Sequence, residues 1–359
     1  MNTVGLLGCG NISSTYLKNA ALFGNYQITA VADLDAERSR AKAEEFGTRA
    51  LSVDELFASD VDLILNLTIP AVHGELGLRA LEAGKHLYNE KPLAVELAEA
   101  RRMLELAEAK GLRVGCAPDT FLGAGWQTAR ELLDAGTIGQ AVGASALMAY
   151  TGPDKWHPDP DFFFKHGAGP LFDMGPYYLT ALVNFFGPVR RVSATAKMTY
   201  AERSVISGPK AGQPIRVETP THISALLEFA SSQTATLTVS FDALAGMAPN
   251  IELYGTRGAM VVGDPNLFSN PLKYRTVNET WRAGEWQEVE LRRPFAQNSR
   301  GLGVSDLFAA VAEKRPHRAS GALALHVLET MHAVLQSARL ERWVSIESGV
   351  ERPELLPLG

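Results

Sequence analysis

The stretch VGLLGCGNIS, residues 4–13, decides the fold of the first third of the chain. An apolar strand pattern, Val4 to Leu7, runs directly into Gly8 and Gly10, and a helical pattern follows. Gly8 permits a tight turn, and Gly10 lets the backbone approach a pyrophosphate at the start of the next helix. Ser13 replaces the third glycine of the dinucleotide-binding fingerprint and is small enough for close helix–strand packing. A Gly-x-Gly turn is common, so its meaning depends on its surroundings.

Strand, glycine turn, helix and acid occur along the chain in the order expected of a dinucleotide-binding site. Asp33 ends the second strand pattern, ITAVAD, where an acid either accepts hydrogen bonds from ribose hydroxyls or serves only as a turn aspartate. No basic residue directly follows Asp33, which favours NAD over NADP because a 2′-phosphate would meet the carboxylate. Arg38 and Arg40 leave NADP open. The candidate cofactor contacts here are Gly8, Gly10, Asn11, Ile12 and Asp33.

The first third of the chain alternates between β-rich runs and helical stretches. The runs are VGLL, ITAVA, LILNL, HLYN and RVGC, and helical stretches such as AERSRAKAEEFG separate them. This alternation predicts parallel βαβ units and a doubly wound sheet. Later β-rich runs, from AVGASALMAY to IELYGTRGAMVV, mostly follow one another without helices, which predicts a largely antiparallel sheet. We therefore expect an α/β protein with domains over residues 1–120 and 121–359.

Further candidates follow the third strand pattern. The segment TIPAVH contains Thr68, Pro70 and His73. Open α/β sheets bind ligands at the carboxyl ends of their strands, so Thr68 and Pro70 are candidate cofactor contacts. His73 opens the next helical pattern, where it either touches the cofactor or caps the helix.

The fourth strand pattern runs into Glu90, Lys91 and Pro92 in the segment HLYNEKPLA, residues 86–94. A lysine in a loop is usually a solvated surface residue. At the nicotinamide side of a dinucleotide site, however, its amine can bind a substrate hydroxyl or carbonyl oxygen. Burial there would lower the pKa of the amine toward proton transfer at neutral pH.

Composition limits the classes of partner. The chain has 359 residues, of which 46% are apolar and 21% charged, enough for two hydrophobic cores. A net charge of −6 without clustered Lys and Arg gives no electrostatic footprint for nucleic acid or an anionic membrane. No segment approaches the roughly 20 apolar residues that span a bilayer. These features predict a cytoplasmic protein with small-molecule partners.

The cysteines and histidines give no metal-ligand spacing. Cys9 and Cys116 each end a strand pattern among small or apolar neighbours, which predicts buried reduced thiols without a disulfide. His326 and His332 lie six apart on the last helical pattern and therefore point to different faces. We predict no metal site.

Several of these segments together resemble the Gfo/Idh/MocA family, named for glucose-fructose oxidoreductase, inositol dehydrogenase and rhizopine catabolism. They are GLLGCGNIS, AVAD, TIPAVH, AGKHLYNEKPLA and GPLFDMGPYYL, and the resemblance covers nearly the whole chain. It implies a Rossmann domain that binds NAD or NADP and a C-terminal α/β domain with a large open sheet. That sheet would form the interface of a homodimer or homotetramer. By the same resemblance Lys91 is catalytic, contacting substrate and nicotinamide, and Glu90 and Pro92 shape the cofactor pocket.

The segment KWHPDPDFFFKHGAGP carries the other substrate-binding candidates. Trp156 and the run Phe162 to Phe164 either line a sugar-sized pocket or belong to the core. Lys165 and His166 precede a glycine-containing loop that is expected to lie over the crevice.

The family usually has Asp-x-Gly-x-His after this segment, and the histidine takes or gives the substrate proton. This chain has Asp173 and Gly175, with Tyr177 in the histidine's position. A tyrosine pKa of about 10 makes a poor base unless a cation such as Lys91 lowers it, although the hydroxyl donates hydrogen bonds well. Tyr177 could also simply pack its helix. Asp173 and Tyr177 share one face if the helix includes both; alternatively the helix begins at Pro176.

The sequence thus predicts an NAD(P)-dependent oxidoreductase that acts on a sugar, a cyclic polyol or a sugar derivative, with Lys91, Asp173 and Tyr177 as catalytic residues. Two alternatives stay open. One is an NAD-dependent glycoside-cleaving enzyme of the same fold, and the other is a cofactor-binding regulatory protein without catalysis.

Overall fold

The computed structural model describes residues 1–244 and 246–357. The chain divides into two compact units. The first unit comprises Met1–Leu122 and Asn298–Leu328, and the second comprises Gly123–Gln297 and the described residues from Glu329 onward. Residues 298–328 therefore belong to the first unit, whereas the sequence assigned all of 121–359 to the second domain. An amphipathic helix pattern shows that one face is buried but does not specify which core covers it.

The strands and helices follow in chain order. The strands are β1 Asn2–Leu7, β2 Tyr26–Ala32, β3 Arg49–Leu51, β4 Leu63–Asn66, β5 His86–Asn89, β6 Val114–Cys116, β7 Ala141–Ala149, β8 Val189–Lys197, β9 Glu202–Ser204, β10 Pro214–Arg216, β11 His222–Phe229, β12 Thr234–Ser240, β13 Ile251–Gly255, β14 Gly258–Val261, β15 Lys273–Thr276, β16 Gln287–Glu288 and β17 Val344–Ser345. The helices are α1 Ser13–Asn19, α2 Ala36–Phe46, α3 Val53–Ala58, α4 His73–Glu82, α5 Leu97–Ala109, α6 Ala124–Asp134, α7 Gly169–Phe186, α8 Leu302–Glu313 and α9 Gly321–Leu340. Short 3₁₀ turns lie between several of them. No helix of the described chain is long and apolar enough to cross a membrane.

The first unit contains a parallel sheet in the order β3-β2-β1-β4-β5-β6. This order places β1 at the centre, and its side chains, such as Val4 and Leu6, are fully buried. Leu7 at the end of β1 pairs with Ala32 of β2 and Asn66 of β4, so the loops that follow these strands leave the same edge. The predicted doubly wound parallel sheet is confirmed.

Helix α2 is the crossover that follows β2, and its two ends are well defined. The Asp35 side chain caps it by accepting from the backbone N–H groups of Glu37 and Arg38. Gly47 ends it in the left-handed conformation, with φ of 67°. These caps define where α2 begins and ends.

The second unit is built on a larger sheet in the order β16-β15-β14-β13-β7-β12-β11-β8-β17. Within the described residues, every neighbouring pair is antiparallel except β7 and β12, so the predicted mostly antiparallel sheet is confirmed. Helix α7 packs on β7, β11 and β12. Strands β9 and β10 form a separate antiparallel hairpin.

Helix α7 begins earlier than one reading of the sequence allowed. It starts at Gly169 with Pro170 in its first turn, and Pro176 lies inside it. The alternative in which Pro176 begins the helix is therefore wrong, because Pro170 already occupies the position where a missing N–H costs nothing. Asp173 and Tyr177 consequently stand four apart on one face of one helix.

Candidate functional site

The glycine turn after β1 has the backbone that its sequence requires. Gly8 has φ of +98°, and a Cβ atom there would lie 2.8 Å from the carbonyl carbon and oxygen of Leu67. No other residue fits that position. A Cβ on Gly10 would meet nothing within 4 Å, so the backbone there faces open space, as approach of a pyrophosphate requires.

Asp33, at the end of β2, is bound to this turn. Its Oδ2 accepts from the Cys9 backbone N–H at 2.7 Å, and its Oδ1 accepts from the Asp35 N–H at 2.9 Å. Asp33 remains partly exposed, and each carboxylate oxygen has a further lone pair. The carboxylate is therefore held in place while keeping acceptor capacity for ribose hydroxyls.

A cleft of about 400 Å³ lies beside the turn. Its lining residues are Cys9, Gly10, Asn11, Ser14, Arg38 and Lys42. Ile12, the remaining residue of the turn, precedes α1 and is partly exposed.

Two buried asparagines organise the ends of β4 and β5, and the sequence reading missed both. Asn66 and Asn89 are fully buried, and the Asn66 amide donates to Asn89 Oδ1 at 3.1 Å. Asn66 Oδ1 accepts from the Thr68 hydroxyl at 2.7 Å, and the Asn89 amide donates to the Leu93 carbonyl at 2.9 Å. Thr68 and the turn after β5 are thus fixed by one hydrogen-bond network. Polar residues inside strand patterns were the available signal, since an unsatisfied amide is rarely buried.

His73 has neither of the roles expected from the sequence. It is fully buried, and its ring nitrogens contact the carbonyl oxygens of Pro92 at 2.7 Å and Thr68 at 2.9 Å. It gives α4 no side-chain cap. Burial lowers the pKa of the imidazole, although both carbonyls oppose that shift. His73 joins the loops after β4 and β5 and offers no nitrogen to a cofactor. Pro70, in the 3₁₀ turn just before it, is partly exposed.

The turn after β5 holds Glu90, Lys91 and Pro92. Glu90 Oε1 accepts from the Tyr16 hydroxyl at 2.9 Å, and Oε2 accepts from the Lys91 backbone N–H at 3.0 Å. The peptide bond between Lys91 and Pro92 is cis, and Pro92 is buried. Lys91 is partly exposed. Burial and then the Glu90 charge raise the pKa of Tyr16, so its hydroxyl stays protonated as a donor.

A buried carboxylate lies next to this turn. Asp119 is 1% exposed, and its Oδ2 accepts from the backbone N–H groups of Gly301 and Gly303, each at 2.9 Å. Burial raises the pKa of Asp119 to about 6, with Glu90 acting in the same direction. Asp119 therefore binds the later segment of the first unit to the loop after β6.

The two cysteines are free and buried. Burial raises the pKa of the Cys9 thiol to about 11, and burial likewise raises the pKa of Cys116. Both are unreactive thiols at neutral pH. Across the described residues, no group of three or more His, Cys, Asp or Glu side chains is placed to hold a metal ion.

In the second unit, Asp173 is half-buried and Tyr177 is 7% exposed on α7. Tyr150, just after β7, is a neighbour of Asp173 that the sequence reading missed. Burial, followed by the charges of Asp173 and Asp154, raises the pKa of Tyr150. The Tyr150 ring packs edge-on against Phe241, with centroids 5.2 Å apart.

The aromatic segment before α7 divides between surface and core. Trp156 is 59% exposed and Phe162 is 47% exposed, whereas Phe164 is fully buried. The rings of Phe162 and Phe163 stack with centroids 4.1 Å apart, and Phe163 also contacts Trp156. Phe164 packs against Phe241. The core interpretation therefore holds for Phe164, and Trp156 retains a surface on which a ligand can pack.

Lys165 and His166 lie just before α7. The Lys165 ammonium is 3.2 Å from an Asp161 carboxylate oxygen and 3.5 Å from one of Glu218, so its charge is compensated. His166 is exposed. Their proposed roles in substrate binding stay predictions.

The first unit thus brings most of the predicted cofactor contacts to one edge of its sheet. A parallel sheet of this order, with a glycine turn after the first strand and an acid after the second, defines a dinucleotide-binding domain. The loops after β1, β2, β4 and β5 carry Gly8, Asp33, Thr68 and Lys91 respectively.

The chain belongs to the Gfo/Idh/MocA family of oxidoreductases. Residues 2–117 match the family's NAD-binding Rossmann fold, and residues 126–261 match the GFO/IDH/MocA C-terminal domain. The predicted family, and NAD as the cofactor of its Rossmann domain, are confirmed.

Relatives that match this chain over most of its length, and others that match a shorter part of it, support the family assignment. The chain is 29% identical over 359 residues to the dTDP-3,4-didehydro-2,6-dideoxy-alpha-D-glucose 3-reductase of Streptomyces violaceoruber, covering 94% of this chain and 95% of that protein. It is 33% identical over 159 residues to inositol 2-dehydrogenase 3 of Saccharopolyspora erythraea, covering 43% of this chain and 47% of that protein. The crystal structure of an NAD binding oxidoreductase from Klebsiella pneumoniae has the same fold, with a TM-score of 0.82, 22% identity, and coverage of 96% and 99%.

Proposed function

We propose that the protein is an NAD(P)-dependent dehydrogenase or reductase acting on a CH–OH group of a sugar, a cyclic polyol or a sugar derivative. The observation that carries the proposal is the fixed position of Lys91 at the ligand-binding edge of a dinucleotide-binding sheet. Glu90 holds the Lys91 backbone N–H, and His73 contacts the carbonyl of Pro92. Two relatives whose names specify a sugar-nucleotide reductase and an inositol dehydrogenase support the substrate class.

The residues around the glycine turn fit the cofactor. Open space above Gly10 admits a pyrophosphate next to the backbone, and the oriented Asp33 carboxylate accepts from ribose hydroxyls. Bound NAD would supply the hydride acceptor or donor. Because its charge opposes a 2′-phosphate, Asp33 favours NAD over NADP.

In this proposal, side chains of the protein carry out proton transfer at the substrate hydroxyl. We assign Lys91 to the reacting oxygen, where its amine binds that oxygen and exchanges the proton. Asp173 and Tyr177 act as a substrate-binding pair, since they share one face of α7. Tyr177 serves as a hydrogen-bond donor through its phenol hydroxyl.

A substrate panel tests the proposed reaction. Purified protein is mixed with sugars, polyols, sugar acids and sugar nucleotides, and nicotinamide absorbance is followed with NAD, NADP and their reduced forms. We expect net oxidation or reduction with at least one carbohydrate, and most of this turnover should be lost in Lys91→Met.

Other outcomes of the same panel would overturn this proposal. Product release from a glycoside without net NADH would identify the glycoside-cleaving alternative. Cofactor binding without turnover of any compound would favour a regulatory protein, for which the tyrosine at position 177 is the supporting observation.

We also propose that the large sheet joins copies of this chain into a dimer or tetramer. Along β11, Ile223, Ala225 and Leu227 are buried, while Leu226 on the opposite face is 40% exposed. That face carries short hydroxyl side chains, among them the bonded pair Ser224 and Thr238, which permit a second sheet to approach closely. Light scattering of wild type and Leu226→Arg tests the interface. A monomeric wild type would contradict it.

A further inference from the structure

Arg203, on β9, has a nearly buried guanidinium at one end of the large sheet. Its side chain is 7% exposed and forms ion pairs with two carboxylates that are also buried, Asp154 and Asp242. The parallel strands β7 and β12 end side by side, at Ala149 and Ser240, and the loops that follow them carry these two acids. Arg203 therefore joins the β9–β10 hairpin to two loops that leave the same end of the sheet.

The two terminal nitrogens of the guanidinium bind different loops. Nη1 donates to the Thr151 carbonyl at 3.1 Å and to the Asp154 carboxylate. Nη2 donates to the Phe241 carbonyl at 2.8 Å and to Asp242 Oδ1 at 3.0 Å. A planar guanidinium fixes the direction of the groups on both sides, which a single ammonium does not do. The loop after β7 and the loop after β12 are thus held by separate atoms of one side chain.

The loop after β7 also packs on the hairpin through its backbone. The Ile206 N–H, just beyond β9, donates to the Asp154 carbonyl at 2.8 Å. A Cβ atom at Gly152 would collide with the Arg203 guanidinium and the Asp154 carboxylate, so the backbone there lies directly against the ion pair. The segment 151–154 is therefore held by backbone contacts as well as by the charge of Arg203.

This segment lies between two residues that are candidates for the substrate side of the unit. Trp156 follows it, and the Trp156 N–H donates to the Pro153 carbonyl at 3.2 Å, which ends a short 3₁₀ turn. Tyr150 precedes it. Burial, followed by the charge of Asp173, raises the pKa of Tyr150, and the Trp156 side chain opposes this shift as a hydrogen-bond donor. Holding residues 151–154 in place therefore also holds Tyr150 and Trp156, near the α7 acid that we assign to substrate binding.

We propose that Arg203 is a positioning residue for substrate binding, which acts through Asp154 to fix the Trp156 ring where a carbohydrate ring packs on it. The inference deepens the proposed function and rests on it, since the ligand must be a carbohydrate bound near Asp173. An aromatic face gives a large contact area to the C–H groups of a sugar ring only when its orientation is fixed. Buried ion pairs add little stability compared with apolar residues of the same volume, which agrees with a role in orientation.

Removing the two carboxylates separately distinguishes positioning from stability. Asp154→Asn and Asp242→Asn are matched variants, because both positions are buried and each change removes one charge from the same guanidinium without changing side-chain size. With the carbohydrate that wild type turns over fastest, Asp154→Asn should raise KM about tenfold or more, while kcat changes by less than about threefold. Asp242→Asn should lower stability to a similar extent but keep KM within about twofold of wild type.

A double-mutant cycle shows whether the effect passes through Trp156. Trp156→Ala should also raise KM. Adding Asp154→Asn to Trp156→Ala should change KM no further, because the ring that Asp154 positions is already absent. Equal KM changes in Asp154→Asn and Asp242→Asn, or additive effects of Asp154→Asn and Trp156→Ala, would overturn the proposal.

Near-ultraviolet circular dichroism tests the positioning without turnover. The difference between wild type and Trp156→Ala gives the signal of the Trp156 ring, and a ring that rotates freely loses that signal. We expect its loss in Asp154→Asn and its retention in Asp242→Asn. Asp154→Glu, which moves the carboxylate by one methylene group, gives the same test if Asp154→Asn does not fold.

The outcomes of this measurement separate the positioning role from the proposed function. A Trp156 signal that persists in the Asp154 variant would overturn the role of Arg203. Wild type that binds NAD but turns over no carbohydrate would instead contradict the proposed function, whatever the Trp156 signal does.

Discussion

The Tyr16 hydroxyl donates to the Glu90 carboxylate over 2.9 Å, which joins the helix after the glycine turn to the residue that precedes Lys91. Tyr16 is fully buried, and the other Glu90 oxygen holds the Lys91 backbone N–H. One carboxylate therefore links the cofactor-binding turn to the proposed catalytic lysine.

Removing that hydroxyl tests the link. Tyr16→Phe leaves Glu90 Oε1 without its donor and should lower the free energy of unfolding by about 1–3 kcal/mol. It should also reduce kcat, because Glu90 is then free to turn away from the Lys91 backbone. Denaturant unfolding and steady-state kinetics are the measurements. Tyr200→Phe, at a position that is 54% exposed, is the control and should change neither. Equal behaviour of the two variants would show that the bond has no positioning role.

Lys91→Met should abolish most turnover and leave NAD affinity nearly unchanged, because cofactor binding rests on Gly8, Gly10 and Asp33. A parallel fall in kcat and kcat/KM marks an interaction made in the transition state. Kinetics and calorimetry on the same preparation separate the two effects. Lys18→Met, at an exposed site on α1, serves as the control. A Lys91→Met protein with wild-type turnover would refute the catalytic assignment.

Tyr177→Phe should cost about ten- to a hundredfold in kcat if the hydroxyl only donates a hydrogen bond, and far more if it transfers the proton. Combined with Lys91→Met, its effect should be less than additive if the two act on one proton. Tyr178→Phe is the neighbouring control, since that hydroxyl donates to the Leu147 carbonyl at 3.2 Å. This control should lower stability but not kcat. Full activity of Tyr177→Phe would assign Tyr177 to packing alone.

Wild type should bind NAD more tightly than NADP, because the Asp33 carboxylate lies where a 2′-phosphate would approach. Asp33→Ala should weaken NAD binding and should reduce or reverse the difference in affinity between NAD and NADP. Titration of each cofactor measures both changes. Part of the NAD loss should come from the turn itself, since the Cys9 and Asp35 N–H groups lose their acceptor. Stronger binding of NADP than of NAD by wild type would contradict this prediction.

Asp119 should make stability fall as pH rises from about 4 to 6. Its folded pKa of about 6 lies above the ordinary 3.8, so the folded state binds more protons than the unfolded chain in that window. A shift of this size corresponds to roughly 3 kcal/mol. Asp119→Asn keeps an acceptor for Gly301 and Gly303 without the charge. The variant should therefore be more stable than wild type above pH 6. Thermal unfolding at several pH values checks this, and identical pH profiles would rule it out.

The first sheet could be read from the sequence almost completely, because buried parallel strands are apolar runs separated by helices. Only β3, Arg49–Leu51, was missed, since three residues, one of them an exposed arginine, are too few to show the apolar pattern of a strand. The helix around Asp173 was left with two starting points. Pro176 was a candidate for the first turn because proline is tolerated there, and only the structure shows that Pro170 occupies that turn.

A site residue could be predicted from the sequence where its residue type indicates its chemical role. It could not be predicted where tertiary packing determines that role. Gly8 and Asp33 follow from the geometry of a dinucleotide turn. His73 has a sequence position suited to a cofactor contact, but the two carbonyls that bind its ring come from different loops. Asp119 depends on Gly301 and Gly303, which are far away in the chain, so no local pattern predicts its burial.

The first unit is discontinuous in the chain, so it can be completed only after the second unit's main segment has been translated. Its closing segment, residues 298–328, supplies the donors to Asp119, and Ala319 supplies the carbonyl that the Cys116 N–H binds. About 175 residues of the second unit are translated in between. At ribosomal speeds of about 5–20 residues per second, the outer edge of β6 waits roughly 10–35 s for its partner. A nascent chain in that interval carries a nearly complete dinucleotide-binding sheet with one edge open, and unpaired strand edges of this kind are prone to aggregation.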